Sequence, residues 1–538
     1  MDDVLVVGAG PVGLVAACEL ARQGVRARIV DPLERPTDQS RAVLLHARSQ
    51  ELLAALGALD RVEAASRRIT GFEVRAGGRA LARMRLDDLP TRYPWALDVP
   101  QSDTEAALGA RAAELGVTVE RGTGMAALTQ DADGVEVTLR SATAEERVRV
   151  GWVVAADGAH SPTRKAVGTA LSGSFSGQHF VFADVDAETD LSPDTVRMFA
   201  HPEGISAVFP LPGDRVRLLF LVDRPGTGET PTPELVQSRA DRRMEGRVAV
   251  RRSRWLTYFE VHHGQVPRYR HGRVLLAGDA AHIHSPAGGQ GMNTGIQDAA
   301  NLAWKLALVA RGRARADLLD SYDAERRPVG AAVIRGTTAL TTMGTLTGAR
   351  AVVRNTALHV AASARPLTDA AAARLAELTV AYPDSPIVGS RGRRAPSTAR
   401  PGTHAPDPAG LVTTGGAPVR IGDLLRRPGH LLLARTDDRA VLEALRSALG
   451  DLGTVVPVVP DAARAGADEG AVVDPGDVVG RAYGTGDDGL VLVRPDGYVG
   501  FTCTPADPAA LAEHLRDVVG IRGPGAPAPG AEVSSSPA

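Results

Sequence analysis

The first 31 residues combine an apolar run, a glycine-rich turn, a helical stretch and a second apolar run, and this unit constrains the fold most strongly. The apolar run Val4–Val7 predicts a buried strand, and Gly8-x-Gly10-x-x-Gly13 follows it at once. Residues 14–23 have a helical pattern ended by Gly24, and residues 26–30 predict the next strand. This order is typical of a domain that binds a dinucleotide at the edge of a parallel sheet.

The glycines and one acidic residue have distinct predicted roles. Glycines permit a tight turn and close approach to a pyrophosphate, which then lies at the positive end of the helix that begins near Pro11. Asp31 lies 23 residues after Gly8, where its carboxylate can accept hydrogen bonds from ribose hydroxyls. A structural glycine turn is the alternative, but the flanking strand, helix and acid favour nucleotide binding. FAD and NAD both fit the motif, so it does not choose between them.

A second candidate motif places a carboxylate after the strand predicted at residues 152–156. Asp157-Gly158 follows this strand, and Ser161 and Arg164 come next at the spacing of a turn and a helix start. Standing alone, this pattern is also that of a simple Asp-Gly turn.

A third motif begins with the strand 273–277 and continues into Gly278-Asp279. The carboxylate of Asp279 is suited to hold a ribityl hydroxyl. A glycine-rich stretch then leads through Gly291-Met292-Asn293 into a long helix, predicted at residues 294–311. Backbone N–H groups at the start of that helix favour negative charge, such as the charge on a reduced flavin ring.

A metal site that includes His282 and His284 is a rival interpretation of the third motif. The glycines that follow supply no ligands, and no third His or Cys has a metal-ligand spacing, so the sequence predicts no metal. Cys18 and Cys503 are the only cysteines; they could form one disulfide, but nothing suggests a secreted scaffold. We expect a small core residue at Cys18 and no thiol redox site at Cys503, since no Cys-x-x-Cys is present.

The charge balance excludes several classes of function. Lys and Arg number 61 and Asp and Glu 63, so no electrostatic footprint for nucleic acid is present.

The first apolar stretch follows Asp2 and Asp3 and is broken by glycines and a proline, which argues against a signal peptide or a membrane span. We therefore expect a cytoplasmic protein with no membrane or nucleic-acid partner, either a monomer or a homo-oligomer.

The sequence predicts an α/β protein of three domains. A Rossmann-like domain is expected at residues 1–175 and 273–385, and a β-rich substrate domain is inserted at 176–272, with a contribution from about 70–100. Residues 386–408 are rich in Pro, Arg, Gly and Ser and predict a linker. A compact C-terminal domain follows at 409–521, with two buried strands, an intervening helix, a hairpin and a last helix. Residues 522–538 predict a disordered tail.

The three motifs together resemble a known family. Gly8-x-Gly10-x-x-Gly13, Asp157-Gly158 and Gly278-Asp279, in this order and at these separations, resemble the single-component FAD-dependent aromatic hydroxylases of the para-hydroxybenzoate hydroxylase type. Residues 40–51 and 100–105 are similar to members that act on polyketides and larger phenols. The C-terminal region resembles the redox-inactive thioredoxin-like extension of that subgroup. The resemblance extends to about residue 520.

The resemblance implies a cofactor and a reaction. In that family NADPH or NADH reduces a bound FAD, O2 forms a flavin C4a-hydroperoxide, and one oxygen atom passes to an electron-rich aromatic substrate. The implied activity is hydroxylation of an aromatic polyketide or another polycyclic phenol. Baeyer–Villiger oxygen insertion on the same scaffold, a flavin-dependent reductase without oxygen transfer, and a non-catalytic nucleotide-binding module remain alternatives.

The resemblance also implies roles for individual residues, grouped here by the part of FAD that each would contact. The pyrophosphate would be held by Gly8, Gly10, Val12 and Gly13, the adenosine ribose by Asp31, the phosphates or ribityl side by Arg41, the ribityl chain by Gln101 and Asp279, and the isoalloxazine by Gly291, Met292 and Asn293. Asp157 and Arg164 would serve FAD and the nicotinamide nucleotide. Arg48 either faces the flavin or is a solvated helix residue.

The substrate pocket is expected beside the flavin ring, under the β-rich region. The candidate substrate contacts, each of which is otherwise an ordinary core residue, are Phe72, Trp95, Phe180, Phe209, Phe220, Tyr258 and His284. The pattern offers no catalytic base.

We predict that Asp31→Ala lowers FAD retention, because the variant loses the acceptor for the ribose hydroxyls. The measurement is the FAD content of purified protein after dialysis. An FAD content equal to that of the wild type would contradict the predicted role.

Overall fold

A computed structural model describes residues 3–37, 42–226, 228–286, 288–344, 346, 348–362, 364–392, 397, 399–465 and 470–522. The strands of the N-terminal half are β1 (Val4–Val7), β2 (Ala27–Asp31), β3 (Leu44–Leu45), β4 (Arg67–Ile69), β5 (Gly71–Ala76), β6 (Arg79–Arg85), β7 (Ala96–Asp98), β8 (Val119–Arg121), β9 (Gly124–Gln130), β10 (Val135–Arg140), β11 (Glu145–Val150), β12 (Trp152–Ala155), β13 (Ser172–Thr189), β14 (Thr195–His201), β15 (Gly204–Pro210), β16 (Arg215–Val222) and β17 (Val248–Gln265).

The later strands are β18 (Arg270–His271), β19 (Val274–Leu276), β20 (His282–Ile283), β21 (Gly389–Gly392), β22 (Leu411–Thr413), β23 (Pro418–Val419), β24 (His430–Arg435), β25 (Gly453–Val459), β26 (Val472–Val473), β27 (Gly489–Val493) and β28 (Val499–Thr504). The helices are α1 (Pro11–Arg22), α2 (Ala47–Leu56), α3 (Leu59–Ala64), α4 (Gln101–Glu114), α5 (Pro162–Ala166), α6 (Pro233–Arg243), α7 (Gly291–Ala310), α8 (Asp320–Gly344), α9 (Gly348–Ala362), α10 (Arg365–Leu375), α11 (Ile421–Leu424), α12 (Arg439–Leu449), α13 (Ala462–Ala465), α14 (Val478–Tyr483) and α15 (Pro508–Glu513).

The first sheet has the order β18-β19-β12-β1-β2-β8, and every pair except β18–β19 is parallel. The strand β1 is buried along its whole length, as expected when both faces of a parallel sheet are covered. The helix α1 packs against α4 and α7. This confirms the predicted strand–turn–helix–strand unit. The helix begins at Pro11, where its start was predicted, because proline fits the first helical turn.

A second sheet has the order β20-β17-β13-β16-β15-β14-β5-β6, and only its β14–β5 pair is parallel. This is the predicted β-rich region, with β5 and β6 added from the earlier segment. The edge strand β20 lies beyond residue 272 and pairs with the end of β17. One face of the sheet is covered by α6, whose Val236 and Ala240 pack with Leu218 and Phe220.

The C-terminal region forms an eight-stranded sheet of order β21-β28-β27-β24-β25-β26-β22-β23. Its centre consists of the parallel pair β24–β25, connected by α12, and the antiparallel hairpin β27–β28. The predicted strands, helix and hairpin are therefore present, and the α/β class is confirmed. The strand β21 lies within the predicted linker 386–408 and pairs with β28, so part of that linker is an edge strand.

The C-terminal domain docks on the second half of α7. Trp304 of α7 belongs to the same apolar cluster as Leu432 and Leu492, and its ring meets the His430 ring edge-on, with 5.2 Å between centroids. Both cysteines are free and buried. Over the described part of the chain, no helix has the length and apolar character needed to cross a bilayer. The predicted tail, apart from residue 522, lies outside the described residues.

Candidate flavin site

The three glycines of the first turn differ in what surrounds them. A Cβ at Gly8 would overlap the carbonyl oxygen of Ala156, and a Cβ at Gly13 would overlap the carbonyl oxygen of Gly8. The backbone at Gly8 is also left-handed, with φ of +99°. At Gly10, in contrast, no heavy atom lies within 4 Å of the Cβ position. Packing within the protein therefore explains Gly8 and Gly13, while the open space at Gly10 fits close approach by a ligand.

Asp31 is tied to this turn by hydrogen bonds. Its Oδ2 accepts from the backbone N–H of Ala9 at 2.8 Å and its Oδ1 from that of Leu33 at 2.9 Å. Arg121 of β8 lies 3.3 Å from the same carboxylate. Asp31 thus fixes the glycine turn against the end of β2, and its location beside Ala9 fits the predicted contact with a ribose.

The Gly278-Asp279 turn meets the first turn through Val12. A Cβ at Gly278 would come within 2.9 Å of Val12, and Gly295 of α7 is crowded by the same side chain. Gly278 also has a left-handed φ of +58°. Asp279 is exposed at this turn. The side chain of Val12 therefore packs between two other segments, and the first and third predicted motifs converge in space.

The start of α7 carries the residues predicted to face the isoalloxazine. Gly291 and Met292 occupy its first turn, where N–H groups lack partners within the helix. The Asn293 side chain is occupied by the protein itself: Oδ1 accepts from the N–H of His46 at 2.8 Å, and Nδ2 donates to the carbonyls of Leu44 and Gly289 at 2.9 and 2.7 Å. Asn293 therefore holds the glycine-rich loop in place, which leaves its backbone as the part available to a flavin.

The second predicted motif is built around capping interactions. Asp157 accepts from Ser161 Oγ at 2.5 Å and from the N–H of Thr163 at 2.9 Å, so it holds the start of α5. Arg164 is buried and donates to the carbonyls of Ala159 and Ala280 at 2.7 and 3.2 Å. These contacts join the second motif to the third and favour a structural role for both side chains.

Gln101 is a further predicted site residue that the structure describes. Gln101 begins α4, donates to Glu105 at 2.9 Å and accepts from the N–H of Ala42 at 3.3 Å. Arg41 lies outside the described residues.

Arg48 is not the solvated helix residue of one interpretation, because its side chain is buried. The other interpretation, in which it faces the flavin, stays a prediction. Arg48 pairs with Glu51 at 2.8 Å, donates to the carbonyl of Asp496 and lies 5.1 Å from the centroid of the Tyr498 ring. Two of these partners, Asp496 and Tyr498, are about 450 residues away in sequence, so no local pattern indicated them.

The aromatic candidates do not form a single pocket. Phe220 and Tyr258 both pair with Val181 and lie on the face covered by α6, so they are core residues there. Phe180 is on the opposite face. Phe72 and Phe209 pack near α10, and Trp95 lies under Arg68, whose guanidinium is 4.2 Å from its ring.

The face of the sheet opposite α6 is apolar and includes residues that sequence reasoning missed. Besides Phe180, it carries Phe182, Ile205, Trp255, Phe259 and Val261. Phe182 and Phe259 stack with centroids 5.2 Å apart. Strand alternation in β13 and β17 could have separated the two faces, had the pairing of those strands been known.

His282 and His284 do not form a metal site with other residues. Among the described residues, no group of three or more His, Cys, Asp or Glu side chains is arranged to hold a metal ion. His282 Nε2 lies 2.7 Å from Asp298. Burial, together with neighbouring His282, lowers the pKa of His284 to about 4, so this imidazole is neutral at pH 7.

Glu377 is a buried acid that contacts α7, and sequence reasoning missed it. It accepts from Thr294 Oγ1 at 3.3 Å and from Gln297 Nε2, and its backbone is left-handed with φ of +60°. Burial raises the pKa of its carboxyl to about 8. No motif in the sequence indicated this residue.

Comparison with protein families supports a flavin site. Residues 1–337 match the FAD binding domain model, and residues 398–521 match the model of the aromatic-ring hydroxylase C-terminal region. Among characterised proteins, 6-methylpretetramide 4-monooxygenase of Streptomyces rimosus is 37% identical over 516 residues, covering 92% of this chain and 90% of the relative.

Solved structures give the same result. The anhydrotetracycline hydroxylase of Streptomyces rimosus superposes with a TM-score of 0.78 at 32% identity, covering 97% of this chain and 99% of the other. Aklavinone-11 hydroxylase, solved in a ternary complex with FAD and aklavinone, superposes with a TM-score of 0.76 at 30% identity, covering 96% and 99% of the two chains.

Gly10→Ala and Gly13→Ala should have different effects. We expect Gly10→Ala to fold with little change in melting temperature but to weaken FAD binding at least about tenfold, since its methyl group enters the open space where the backbone would approach a phosphate. Gly13→Ala should lower the melting temperature, because its methyl group overlaps the Gly8 carbonyl. Fluorescence titration with FAD and thermal unfolding measure the two effects. Normal FAD affinity in Gly10→Ala would contradict the proposed contact.

Glu377 should make stability depend on pH. Because its folded-state pKa is raised, its contribution is fully present below the unfolded pKa of about 4.5 and is lost as pH rises through about 8. Relative to Glu377→Gln, the wild type should lose roughly 1 kcal/mol of unfolding free energy per pH unit across this window. Urea unfolding of both proteins at pH 5.5 and pH 8.5 measures the difference. Equal changes in both proteins would show that Glu377 does not titrate in this range.

Proposed function

The chain belongs to the FAD-dependent aromatic-ring hydroxylases and is an FAD-dependent monooxygenase, and we propose that it adds one oxygen atom from O2 to an aromatic polyketide or another polycyclic phenol. The reductant we propose is NADPH or NADH, and the reaction is a hydroxylation in secondary metabolism. The supply of reduced nicotinamide agrees with the cytoplasmic location expected from the sequence.

One observation carries this proposal: the turns at Gly10 and Gly278 meet at the Val12 side chain, and the Cβ position of Gly10 faces open space. Gly8, Gly13 and Gly278 are crowded by other protein atoms, whereas Gly10 leaves room for a ligand. A pyrophosphate at this point would lie against the start of α1, where N–H groups and the helix dipole favour anions.

The residues of this chain would bind and orient FAD in an extended form. The backbone around Gly10 would hold the pyrophosphate, Asp31 the adenosine ribose and Asp279 the ribityl chain. The first turn of α7, at Gly291 and Met292, would direct backbone N–H groups at the edge of the flavin ring. Bound FAD would supply the redox chemistry, which is hydride acceptance from the nicotinamide and activation of O2.

The proposed substrate surface is the apolar face of the second sheet. Its strand β17 pairs with β20, which follows the Asp279 turn, so this face begins next to the proposed flavin position. Aromatic side chains such as Phe182 and Phe259 would pack against flat rings and exclude water from the reaction. A buried pair on the same sheet, Asp184 with Arg217 at 2.5 Å, would offer polar groups to phenolic oxygens after local rearrangement.

The relatives support the substrate class. The names of the two Streptomyces rimosus proteins refer to tetracycline-type compounds, and aklavinone is the ligand of the third protein. All of them align with nearly the whole of this chain. We therefore propose a multi-ring aromatic compound rather than a single-ring phenol as the substrate.

The test combines NADPH oxidation with mass detection under ¹⁸O2. We expect the purified, FAD-loaded protein to oxidise NADPH faster with one member of a panel of anthraquinone-type and polyphenolic compounds and to add one ¹⁸O atom to it. Gly10→Ala serves as the control with an impaired FAD site. NADPH oxidation with no labelled product for any compound would favour a reductase, while a labelled ring-expanded lactone would identify Baeyer–Villiger insertion.

A further inference from the structure

One of the contacts between the C-terminal domain and the FAD-binding domain is a buried cluster of charged side chains. We call this group the buried ion cluster; it consists of Asp298, Lys305, Glu325, Arg326, Arg494 and Asp496. Each residue is at most 2% exposed, and three acids balance three bases. Lys305 is one of only two lysines in the chain. Buried charges are costly unless paired, so such a cluster depends on every partner being present.

Arg494 is the residue through which the C-terminal domain enters the cluster. It follows β27 in the hairpin and donates two hydrogen bonds to the Glu325 carboxylate, at 2.6 and 2.8 Å. It also pairs with Asp496 at 2.5 Å. Glu325 Oε2, one of the two oxygens that Arg494 contacts, also accepts a hydrogen bond from Lys305 Nζ at 2.7 Å. The forked geometry of a guanidinium suits this carboxylate better than a single ammonium does.

The cluster continues from Glu325 to the third turn. Arg326, the next residue, donates from Nε to Asp298 Oδ1 at 2.7 Å. The other oxygen of Asp298 accepts from the backbone N–H of Gly278 at 3.1 Å and lies 2.7 Å from His282 Nε2. Gly278 directly precedes Asp279. Asp298 therefore holds both ends of the turn 278–282.

A second contact supports the same connection. Arg326 Nη1 donates to the hydroxyl of Tyr382 at 2.9 Å, and the Tyr382 ring lies 4.5 Å from the ring of Tyr498, which begins the second half of the hairpin. Both members of the Glu325-Arg326 pair on α8 are thus held by the C-terminal domain, one directly and one through Tyr382.

We propose that Arg494 is a positioning residue for FAD: it holds Glu325 directly and Arg326 through the Tyr382 ring, and it thereby fixes Asp298 and the Gly278-Asp279 turn. The inference rests on the proposed flavin site at that turn. Without Arg494, the Glu325 carboxylate keeps Lys305, Asn301 and Ser385 as donors, but the Tyr382 ring loses the guanidinium that lies 5.6 Å from its centroid. Tyr382 then holds Arg326 less firmly against Asp298, and the turn 278–282 loosens although no residue proposed to touch FAD has changed. The C-terminal domain thus takes part in cofactor binding from outside the groove.

The test compares Arg494→Met with three other variants of the full chain. Arg494→Lys keeps the charge and should restore part of the effect. Arg391→Met removes an exposed ion pair with Glu513, at 2.7 Å, from the same domain. Leu445→Ala removes a buried side chain of the C-terminal core, so it lowers the melting temperature without touching the cluster. The readouts are the FAD dissociation constant and hydrogen exchange of residues 278–282 in FAD-free protein.

We expect Arg494→Met to raise the FAD dissociation constant about tenfold or more and to speed exchange at residues 278–282. Arg494→Lys should show a smaller change of the same kind, and the Arg391→Met and Leu445→Ala proteins should match the wild type in both readouts. If Arg494→Met fails to fold, Arg494→Lys and Tyr382→Phe are measured instead with the same readouts. Tyr382→Phe removes the hydroxyl that accepts from Arg326, so it should also weaken FAD binding and speed exchange at residues 278–282.

Wild-type FAD affinity and wild-type exchange in the Arg494 variants would overturn the proposal, even if their melting temperatures fall. Equal loss of FAD affinity in Leu445→Ala would also overturn it, since general destabilisation would then explain the effect. Failure of the flavin site itself has a different signature: Asp279→Ala would retain FAD, while exchange at residues 278–282 would still respond to Arg494.

Discussion

Close backbone contact at positions without side chains sets the geometry of the coenzyme-binding half of this protein. The turn after β1 can close because Gly8 and Gly13 have no Cβ atom. A Cβ at Gly8 would overlap the carbonyl oxygen of Ala156, and a Cβ at Gly13 would overlap that of Gly8. Val12, between them, fills the space that Gly278 and Gly295 leave open. Segments almost 300 residues apart in sequence therefore meet at van der Waals distance around one side chain. A larger residue at any of these glycines would separate the turns.

Most polar side chains near the groove stabilise these turns rather than extend into it. Asp31 holds the first turn, Asp157 and Arg164 join the second to the third, Asn293 holds the glycine-rich loop, and Asp298 holds Gly278. Turns that the protein itself holds in place need less ordering when a ligand binds, which lowers the entropic cost of binding. In an aromatic-ring hydroxylase, turns held in this way would keep the flavin ring at a fixed distance and angle from the substrate while water is excluded.

The sequence was sufficient for features encoded by neighbouring residues. The glycine turn with Asp31, the strands of the C-terminal domain and the order of the motifs are local patterns, and the structure contains them. Features that depend on distant contacts were not predictable. Arg48 has the spacing of a surface helix residue, yet it is buried against Asp496, and Phe220 and Phe180 differ in face only through strand pairing. The sequence did not indicate that Lys305 and Glu325 belong to a buried ion cluster, because the partner of Glu325, Arg494, lies far along the chain.

The most direct test of the proposed flavin site is a crystal structure of the protein with FAD. We predict an extended FAD whose pyrophosphate lies against Gly10 at the start of α1, with a ribityl hydroxyl bonded to Asp279 and the flavin ring edge at Gly291 and Met292. An FAD bound elsewhere, or bound with its phosphates away from Gly10, would contradict the interpretation of the two converging turns.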